Sequence, residues 1–596
     1  GNDPNTLVSI VNGLPRNLSA STLRNNFVDA GEQQAISQNV NNPFWVLNRN
    51  VFTTDTERLF GNVKVSFDVT DWLTIQERIG TDVISEQRRE PNAKGTKGEE
   101  RGRVFDQILR QRQIDHDFSV RTDNSLGEDF SLQTVIGNNI NQRTLEENTN
   151  EASNLNVAGL YNYANAQNNT PENFFQRQRL VSVYGSATLG FRNYAFLEVT
   201  GRNDWSSTLP EDNNSYFYPS VSLSVVATDL LEEEYDLTIP GVSYAKIRAN
   251  YAEVGSDEDP YQLAFRFFPS TSVFGQFGTD VEFPFNGLTS FQKTGTIPPT
   301  NLQPQRQESW EVGTELAFFD GRINLDATYY NQETTQQILD LPIPQSTGFN
   351  ERTLNVGTIR NEGVELSLNA SILTTENFQW RLGGNFTRNQ NTVVSLAEGV
   401  DQFTLQSGFN SLQVRAEEGE EIAVFGTGFA RDPETGKPLI NPNTGLRIAG
   451  DDKNLGDLYA DIETGFTTSL SYQGFNLNVL VDWKKGGTVF SSTVQDLRAS
   501  GLAAETAQNR EGTFVDDGVI VTERNAAGEI VETRPNDVPV PSAQQFWGQF
   551  AEDGIIENSV FDASYVKLRE VALSYNLPQS WLARIPVENA SVTVQG

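Results

Sequence analysis

The sequence has no cysteine, no methionine and only one histidine in 596 residues. Without cysteine there is no disulfide framework, no thiolate nucleophile and no cysteine-ligated metal. A single histidine, His116, excludes a histidine-rich metal centre and leaves one imidazole for acid–base work. Positive charge is scarce as well: 44 Lys+Arg stand against 78 Asp+Glu, a formal charge of −34. Nucleic-acid binding needs a basic field, so nucleic acid is excluded as a partner. No run approaches the roughly 18–20 apolar residues of a membrane helix, and mean hydropathy is −0.45. That absence is silent about β-barrels, whose wall residues alternate and average out polar. The chain opens at Gly1 without a basic or apolar leader and stops inside an alternating run, so it reads as an internal fragment of a longer protein.

What the sequence does have is period-two alternation, the mark of strands with one apolar face. Val312, Leu316 and Phe318 share a face with Thr314, opposite Glu311, Gly313 and Glu315. Ile323, Leu325, Ala327 and Tyr329 then alternate with Arg322, Asn324, Asp326 and Thr328, and Phe319-Asp320-Gly321 between them is a hairpin turn. The unit recurs around Thr70–Trp72, Gly190–Asn193, Thr374–Asn377 and Gln473-Gly474, with weaker pairs near 114–139 and 219–253. Val571, Leu573 and Tyr575 would pair with the alternating run Ser591–Gly596 that ends the sequence. This predicts about sixteen strands of about 8–12 residues each, enough for a tilted bilayer crossing.

The connections alternate too. Short turns are followed by long polar segments, roughly 86–113, 141–178, 202–218, 254–308, 332–362, 388–464 and 485–564. Structureless loops above about 15 residues are uncommon in compact domains. Short turns at one end and long loops at the other are the plan of an outer-membrane barrel. Trp72, Phe319, Phe378, Trp380, Tyr472 and Phe475 cluster at the short-turn ends, where a membrane-interface girdle belongs. The fold class is therefore all-β, a large antiparallel transmembrane barrel with short periplasmic turns and long extracellular loops.

Longer motifs carry a family resemblance. Asn203-Asp204-Trp205-Ser206-Ser207-Thr208-Leu209-Pro210, continued by Asn214–Ser222, resembles the SusC-like (SusC/RagA type) TonB-dependent outer-membrane transporters. So do Asn301-Leu302-Gln303-Pro304, Ser309–Gly313, Phe318–Arg322, Asn355–Glu365, Asp432–Gly445 with its Pro-Leu-Ile-Asn-Pro core, and Ala563–Glu570. The resemblance runs from about residue 42 to the end. It implies a 22-stranded barrel around an N-terminal plug, a TonB box coupling to the energised inner membrane, and a SusD-like lipoprotein lid. Residues before 42 show no plug or TonB box, so residues 1–596 read as a partial barrel domain, with plug and closing strands outside this fragment. A lipid-exposed sheet edge would leave backbone groups unsatisfied, so the intact protein must supply them.

Few residues point to chemistry. His116 lies in Asp115-His116-Asp117, but strand neighbours face opposite sides, so neither carboxylate need touch it, and no catalytic residue is assigned. Gly426-Thr427-Gly428 lacks the third glycine and following helix of a phosphate loop. Glu417, Glu418, Glu420 and Glu421 precede the Asp432–Gly445 loop, and Asp451, Asp452, Asp457 and Asp461 follow it. Oxygen ligands in such loops suit Ca²⁺, which makes Asp451, Asp452 and Asp457 a possible structural Ca²⁺ site; a solvated loop, or one bridged to lipopolysaccharide by divalent ions, is the alternative. Trp45, Trp205, Tyr216, Phe217, Tyr218, Phe546 and Trp547 are candidate ligand-binding aromatics, since flat rings stack on sugars; packing of loops, or against a lid, is the competing role. Substrate-specific residues should lie in the less family-like loops 265–295 and 401–415.

The leading function is active, TonB-coupled import of oligosaccharides or peptides across the outer membrane of a Gram-negative, Bacteroidetes-like cell, without enzyme activity. Its partners would be a SusD-like lipoprotein, the TonB complex, the substrate, membrane lipid and lipopolysaccharide. A passive porin is the alternative, and a β-sandwich adhesin a weaker one that would need loops of equal length at both strand ends. The apolar stretches Phe265–Phe268 and Phe274–Phe285 call for a cover, such as a docked lid or the plug.

Overall fold

The computed structural model describes residues 7–14, 17–30, 40–270, 272–273, 281–283, 285–408, 411–552, 554–582 and 587–596. Sixteen strands, each paired with its neighbours in chain order, form one continuous antiparallel sheet. They are β1 (Thr53–Thr70), β2 (Leu73–Asn92), β3 (Arg103–Leu126), β4 (Phe130–Leu155), β5 (Ala166–Phe191), β6 (Ala195–Ser206), β7 (Ser215–Val226) and β8 (Val242–Ser256). The second half comprises β9 (Gln305–Phe318), β10 (Ile323–Thr335), β11 (Thr358–Thr374), β12 (Phe378–Ser395), β13 (Ala460–Tyr472), β14 (Phe475–Gly486), β15 (Tyr565–Asn576) and β16 (Ser591–Gln595). No helix among the described residues is long and apolar enough to cross a membrane.

The register carries one apolar face across the whole sheet. Leu325 pairs with Leu368 and Ala327 with Leu366. Further on, Leu470 pairs with Leu477 and Thr468 with Val479, and these two β14 residues pair with Leu573 and Val571. At the other side, Val183 pairs with Asn138, and Val199 and Leu197 pair with Ala187 and Leu189. The opposite face holds Asn324, Glu365, Asn476 and Asn478, as the alternation predicts. Because side chains switch faces at every residue, no wall strand can slip by one position without inverting both faces.

Turns of two to four residues set that register. Gln473 and Gly474 both have positive φ, 45° and 89°, the mirror-image turn whose twist matches the flanking strands. The rings expected at this end are there: Trp72, Phe319, Tyr472 and Phe475 are exposed, Phe378 packs 6.4 Å from Tyr472, and Trp380 Nε1 donates to Thr468 at 3.1 Å. Phe475–Tyr575 and Phe130–Phe191, at 4.4 and 4.9 Å, extend the girdle to strands the aromatic pattern had not included. Two connections at this end are longer: residues 577–590 join β15 to β16, and the helix Ala227–Tyr235 joins β7 to β8. Glu234 ties it to the wall by accepting hydrogen bonds from Tyr194, at 2.6 Å, and Arg192.

The strands are longer than the sequence pattern predicts. β3, β4 and β5 run 24, 26 and 26 residues rather than 8–12. The loops expected at 86–113, 141–178 and 202–218 shrink accordingly to 93–102, 156–165 and 207–214. Beyond the bilayer both faces meet polar surroundings, so the ladder continues without the alternation that marks it. Long loops remain at 257–304, 336–357, 396–459 and 487–564, all at the end opposite the short turns.

Candidate functional site

The polar face of the wall is a connected hydrogen-bond network. Asp204, nearly inaccessible, accepts from Arg202 Nε at 2.7 Å and from the Tyr218 hydroxyl at 2.6 Å. Arg202 also donates to Ser182 Oγ at 2.6 Å. Asn141 and Asn139 donate to Asp115 at 2.9 and 3.1 Å, and the Tyr184 hydroxyl to Asp117 at 3.1 Å. Farther round, Arg248 bridges Glu315 and Asp326 at 3.0 and 2.9 Å, with Lys246 on Glu315 at 3.1 Å. These are the inward residues of β3 to β10, and their pairing holds long side chains against the wall.

Glycines let rings lie flat on this surface. Gly255 lies under the Tyr216 ring and Gly137 under the Tyr184 ring, and a Cβ at either would collide with it. Tyr216 and Tyr218 stack at 6.1 Å. Above them Asp257 accepts from Gln178 at 2.9 Å, Thr208 at 3.0 Å and Ser206, anchoring the first turn of the 257–304 loop to the wall. Beside that anchor a cavity of about 270 Å³ is lined by Gln111, Gln113, Arg143, Gln176, Gln178 and Asp259, with Ile84 and Leu145 as its apolar part. Amide and guanidinium donors around a small apolar floor suit hydroxyl- or amide-bearing ligands. The sequence signal for these residues is the same parity, carried upward from the membrane-spanning alternation.

The long loops fold into a second layer. A four-stranded sheet of Gln402–Ser407, Gln413–Glu417, Ala423–Phe429 and Ala449–Asp457 adjoins an apolar core of Phe429, Val540, Phe546, Phe550 and Ile555. Arg447 stacks over Phe429 and Phe546 at 5.1 and 5.5 Å and pairs with the buried Asp516 at 2.7 Å. Glu557 binds Arg431, at 2.5 Å, and Lys453, at 3.1 Å, and accepts the Phe429 N–H at 2.8 Å. Burial alone would raise its carboxyl, but the hydrogen bonds from Phe429, Arg431 and Lys453 outweigh that and hold it below the usual range. Leu439 and Ile440 of the Pro-Leu-Ile-Asn-Pro segment are buried.

The seven candidate aromatics are thus separated. Tyr216 and Tyr218 face inward. Trp205 and Phe217 belong to the outward face, in the rows of Val181 and Asn203, and are 41% and 59% exposed there. Their expected ligand role is corrected: together with Tyr251, Trp310 and Tyr329 they form an aromatic belt toward the long-loop end. Trp45 and Phe546 are buried, which also corrects their assignment. Trp45 donates to Thr96 Oγ1 at 2.9 Å, and Phe546 is core to the loop layer. Trp547 is half-buried against that core and lines a second cavity with Leu14, Arg498 and Gln544.

The structure does not bring Asp451, Asp452 and Asp457 together. Consecutive strand residues face opposite sides, and Asp452 is engaged by Arg415. No group of three or more metal-ligating side chains is gathered among the described residues. His116 turns outward, away from Asp115 and Asp117, as strand geometry requires. Of the apolar loop stretches, Phe265, Phe267, Phe268 and Phe285 are exposed, while 274–280 and 284 lie outside the described residues.

A wall of this kind, apolar outside, hydrogen-bonded inside and crowned at one end, defines an outer-membrane barrel. Residues 2–408 match the family described as "TonB dependent receptor-like, beta-barrel", and the chain belongs to that family. It is 27% identical over 473 residues to TonB-dependent receptor P3 of Formosa agariphila, covering 75% of this chain and 43% of the relative. TonB-dependent receptor SusC of Bacteroides thetaiotaomicron is 24% identical over 350 residues, 56% of this chain and 34% of SusC. The chain therefore spans less than half the length of these relatives. Among solved structures, the RagAB peptide transporter superposes with a TM-score of 0.73 at 16% identity, over 93% of this chain and 59% of that one. That likeness is of fold, and it agrees with a SusC-like barrel.

Proposed function

We propose that this chain is the greater part of the barrel of an outer-membrane active importer that takes up oligosaccharides or peptides. Transport is driven through TonB by parts of the intact protein beyond this chain, and a SusD-like lipoprotein closes the long-loop end. The observation that carries the reading is the two-faced wall: a predominantly apolar surface outside, and inside a polar surface linked by hydrogen bonds and ion pairs around amide-lined space. A passive pore needs an open lumen, whereas here loop 257–304 is anchored onto the inner wall through Asp257. The peptide arm is supported by likeness of fold to the RagAB peptide transporter, and the glycan arm by the amide and guanidinium donors of the interior cavity, which suit hydroxyl groups.

The test is uptake by cells carrying the full-length protein, using a fluorescent oligopeptide mixture and a fluorescent oligosaccharide mixture as separate probes. Active import predicts that one probe accumulates and that a protonophore or deletion of TonB abolishes the uptake. Uptake that persists unchanged without energy would establish a porin instead.

A further inference from the structure

We propose that four arginines on the outward face of β3 and β5 bind the phosphate groups of a lipid headgroup in the outer leaflet. The proposal rests on the membrane orientation given above. Arg110 and Arg112 lie on β3, and Arg177 and Arg179 on β5, with β4 between them. The register places Arg112, Thr144 and Arg177 in one row, and Ile114, Gln142 and Arg179 in the next. The row below contains His116, Ile140, Val181 and Trp205, the start of the apolar face. The arginines are therefore on the lipid side, and all four are exposed. The residues between them, Gln111 and Gln178, line the interior cavity, to whose lining Arg112 and Thr144 of the outward row also contribute.

Their height fits a headgroup. From Phe191 at the short-turn end to Arg179, a strand rising about 3.3 Å per residue and tilted about 40° climbs about 30 Å. The apolar band of an outer-membrane barrel is about 25 Å tall, so the guanidinium groups stand just above it. Spacing is also suitable: about 7 Å along a strand and about 10 Å across two strands, within reach of one or two phosphates on a single lipid.

The patch lacks neutralising partners. Among the described residues, none of the four arginines forms an ion pair with a carboxylate. Arg179 donates to Gln142 at 2.7 Å and Arg177 lies 5.1 Å over the Phe175 ring, contacts that orient the guanidinium groups without cancelling their charge. Glu146 shares the row of Arg110 without pairing to it. The corresponding outward rows of β8 to β11 differ: Arg306 is paired with Glu253 and Glu308, and Arg360 with Glu333. In a chain of charge −34, an unpaired cluster of this kind marks a place for an anion. Guanidinium forks match phosphate oxygens bidentately, and Val181, Val183 and Ile140 directly below would meet the acyl chains.

The test uses the full-length protein purified in mild detergent, stripped of lipid and titrated with bis-phosphorylated lipid A in mixed micelles, and separately with inorganic phosphate. The wild type should bind the lipid in a salt-sensitive manner. The Arg110→Gln/Arg112→Gln/Arg177→Gln/Arg179→Gln variant should bind at least about tenfold more weakly, whereas Arg306→Gln/Arg360→Gln should bind like the wild type. The two-site variants Arg110→Gln/Arg112→Gln and Arg177→Gln/Arg179→Gln serve if the fourfold change prevents folding, which heat-dependent gel migration reads. Equal lipid binding by the variants, inorganic phosphate binding as tight as lipid, or loss only of an acidic protein partner would each overturn the proposal. Loss of energised uptake with lipid binding intact would count against the import reading and leave the lipid site standing.

Discussion

His116 Nε2 lies 2.8 Å from Glu77 Oε1, and the pair sits on the apolar face of the sheet. Glu77 is in register with Phe118 and His116 with Ile79, so apolar side chains flank the pair. The two groups stand within ion-pair distance of each other, although Glu77 Oε1 and His116 Nδ1 have no hydrogen-bond partner among the described residues. Replacing one, as in His116→Leu, strands a carboxyl in the wall and should cost about 1–3 kcal/mol. The double variant His116→Leu/Glu77→Leu should recover most of that. Urea unfolding of the full-length barrel in lipid vesicles measures both, and an additive double variant would contradict the pairing.

The two faces of β14 give a second prediction. Leu477→Arg puts a charge toward lipid and should cost about 2–4 kcal/mol, while Asn478→Arg enters the polar interior and should be mild. The same vesicle unfolding experiment ranks them. Equal losses would mean that the faces are assigned wrongly.

The loop layer has its own core and should fail locally. Phe550 is fully buried and meets Phe429 edge-on at 5.4 Å. Phe550→Ala should cost that core about 3–5 kcal/mol. Protease should then cut within 487–564 much faster, while the barrel keeps its heat-resistant migration.

Glu557 makes the same layer acid-sensitive. Its folded pKa lies below the ordinary value of 4.5, so its contribution is complete above about 4.5 and is lost as pH falls through the folded value. Protease sensitivity of the loops should therefore rise only below about pH 4.5, and Glu557→Gln should flatten that dependence. An onset near neutral pH would point to another group.

The parts legible in the sequence were those where lipid enforces alternation. Val312 to Phe318 and Ile323 to Tyr329 could be read as a hairpin because one face must be apolar at every second residue. The arms of β3, β4 and β5 above the bilayer obey no such rule, so Gln111, Arg143 and Gln178 went unrecognised although parity places them inside. The aromatic candidates failed for a related reason. Parity with Val221 and Leu223 separates Phe217 from Tyr216 and Tyr218, a distinction that residue type alone does not make. Phe546 and Phe550, four apart, carry the signature of a buried helix face inside a segment whose length and polar composition otherwise point to a loop.

The sidedness of the wall can be measured most directly by cysteine labelling, because this chain has no cysteine of its own. Ala527 is exposed in the loop between Val519–Arg524 and Ile530–Pro535, and Asp320 is exposed in the turn between β9 and β10. In intact cells expressing the full-length protein, a membrane-impermeant maleimide should label Ala527→Cys. It should reach Asp320→Cys only after the outer membrane is opened, and it should leave Val183→Cys on the apolar face unlabelled throughout. Labelling of Asp320→Cys in intact cells, with Ala527→Cys protected, would contradict the account.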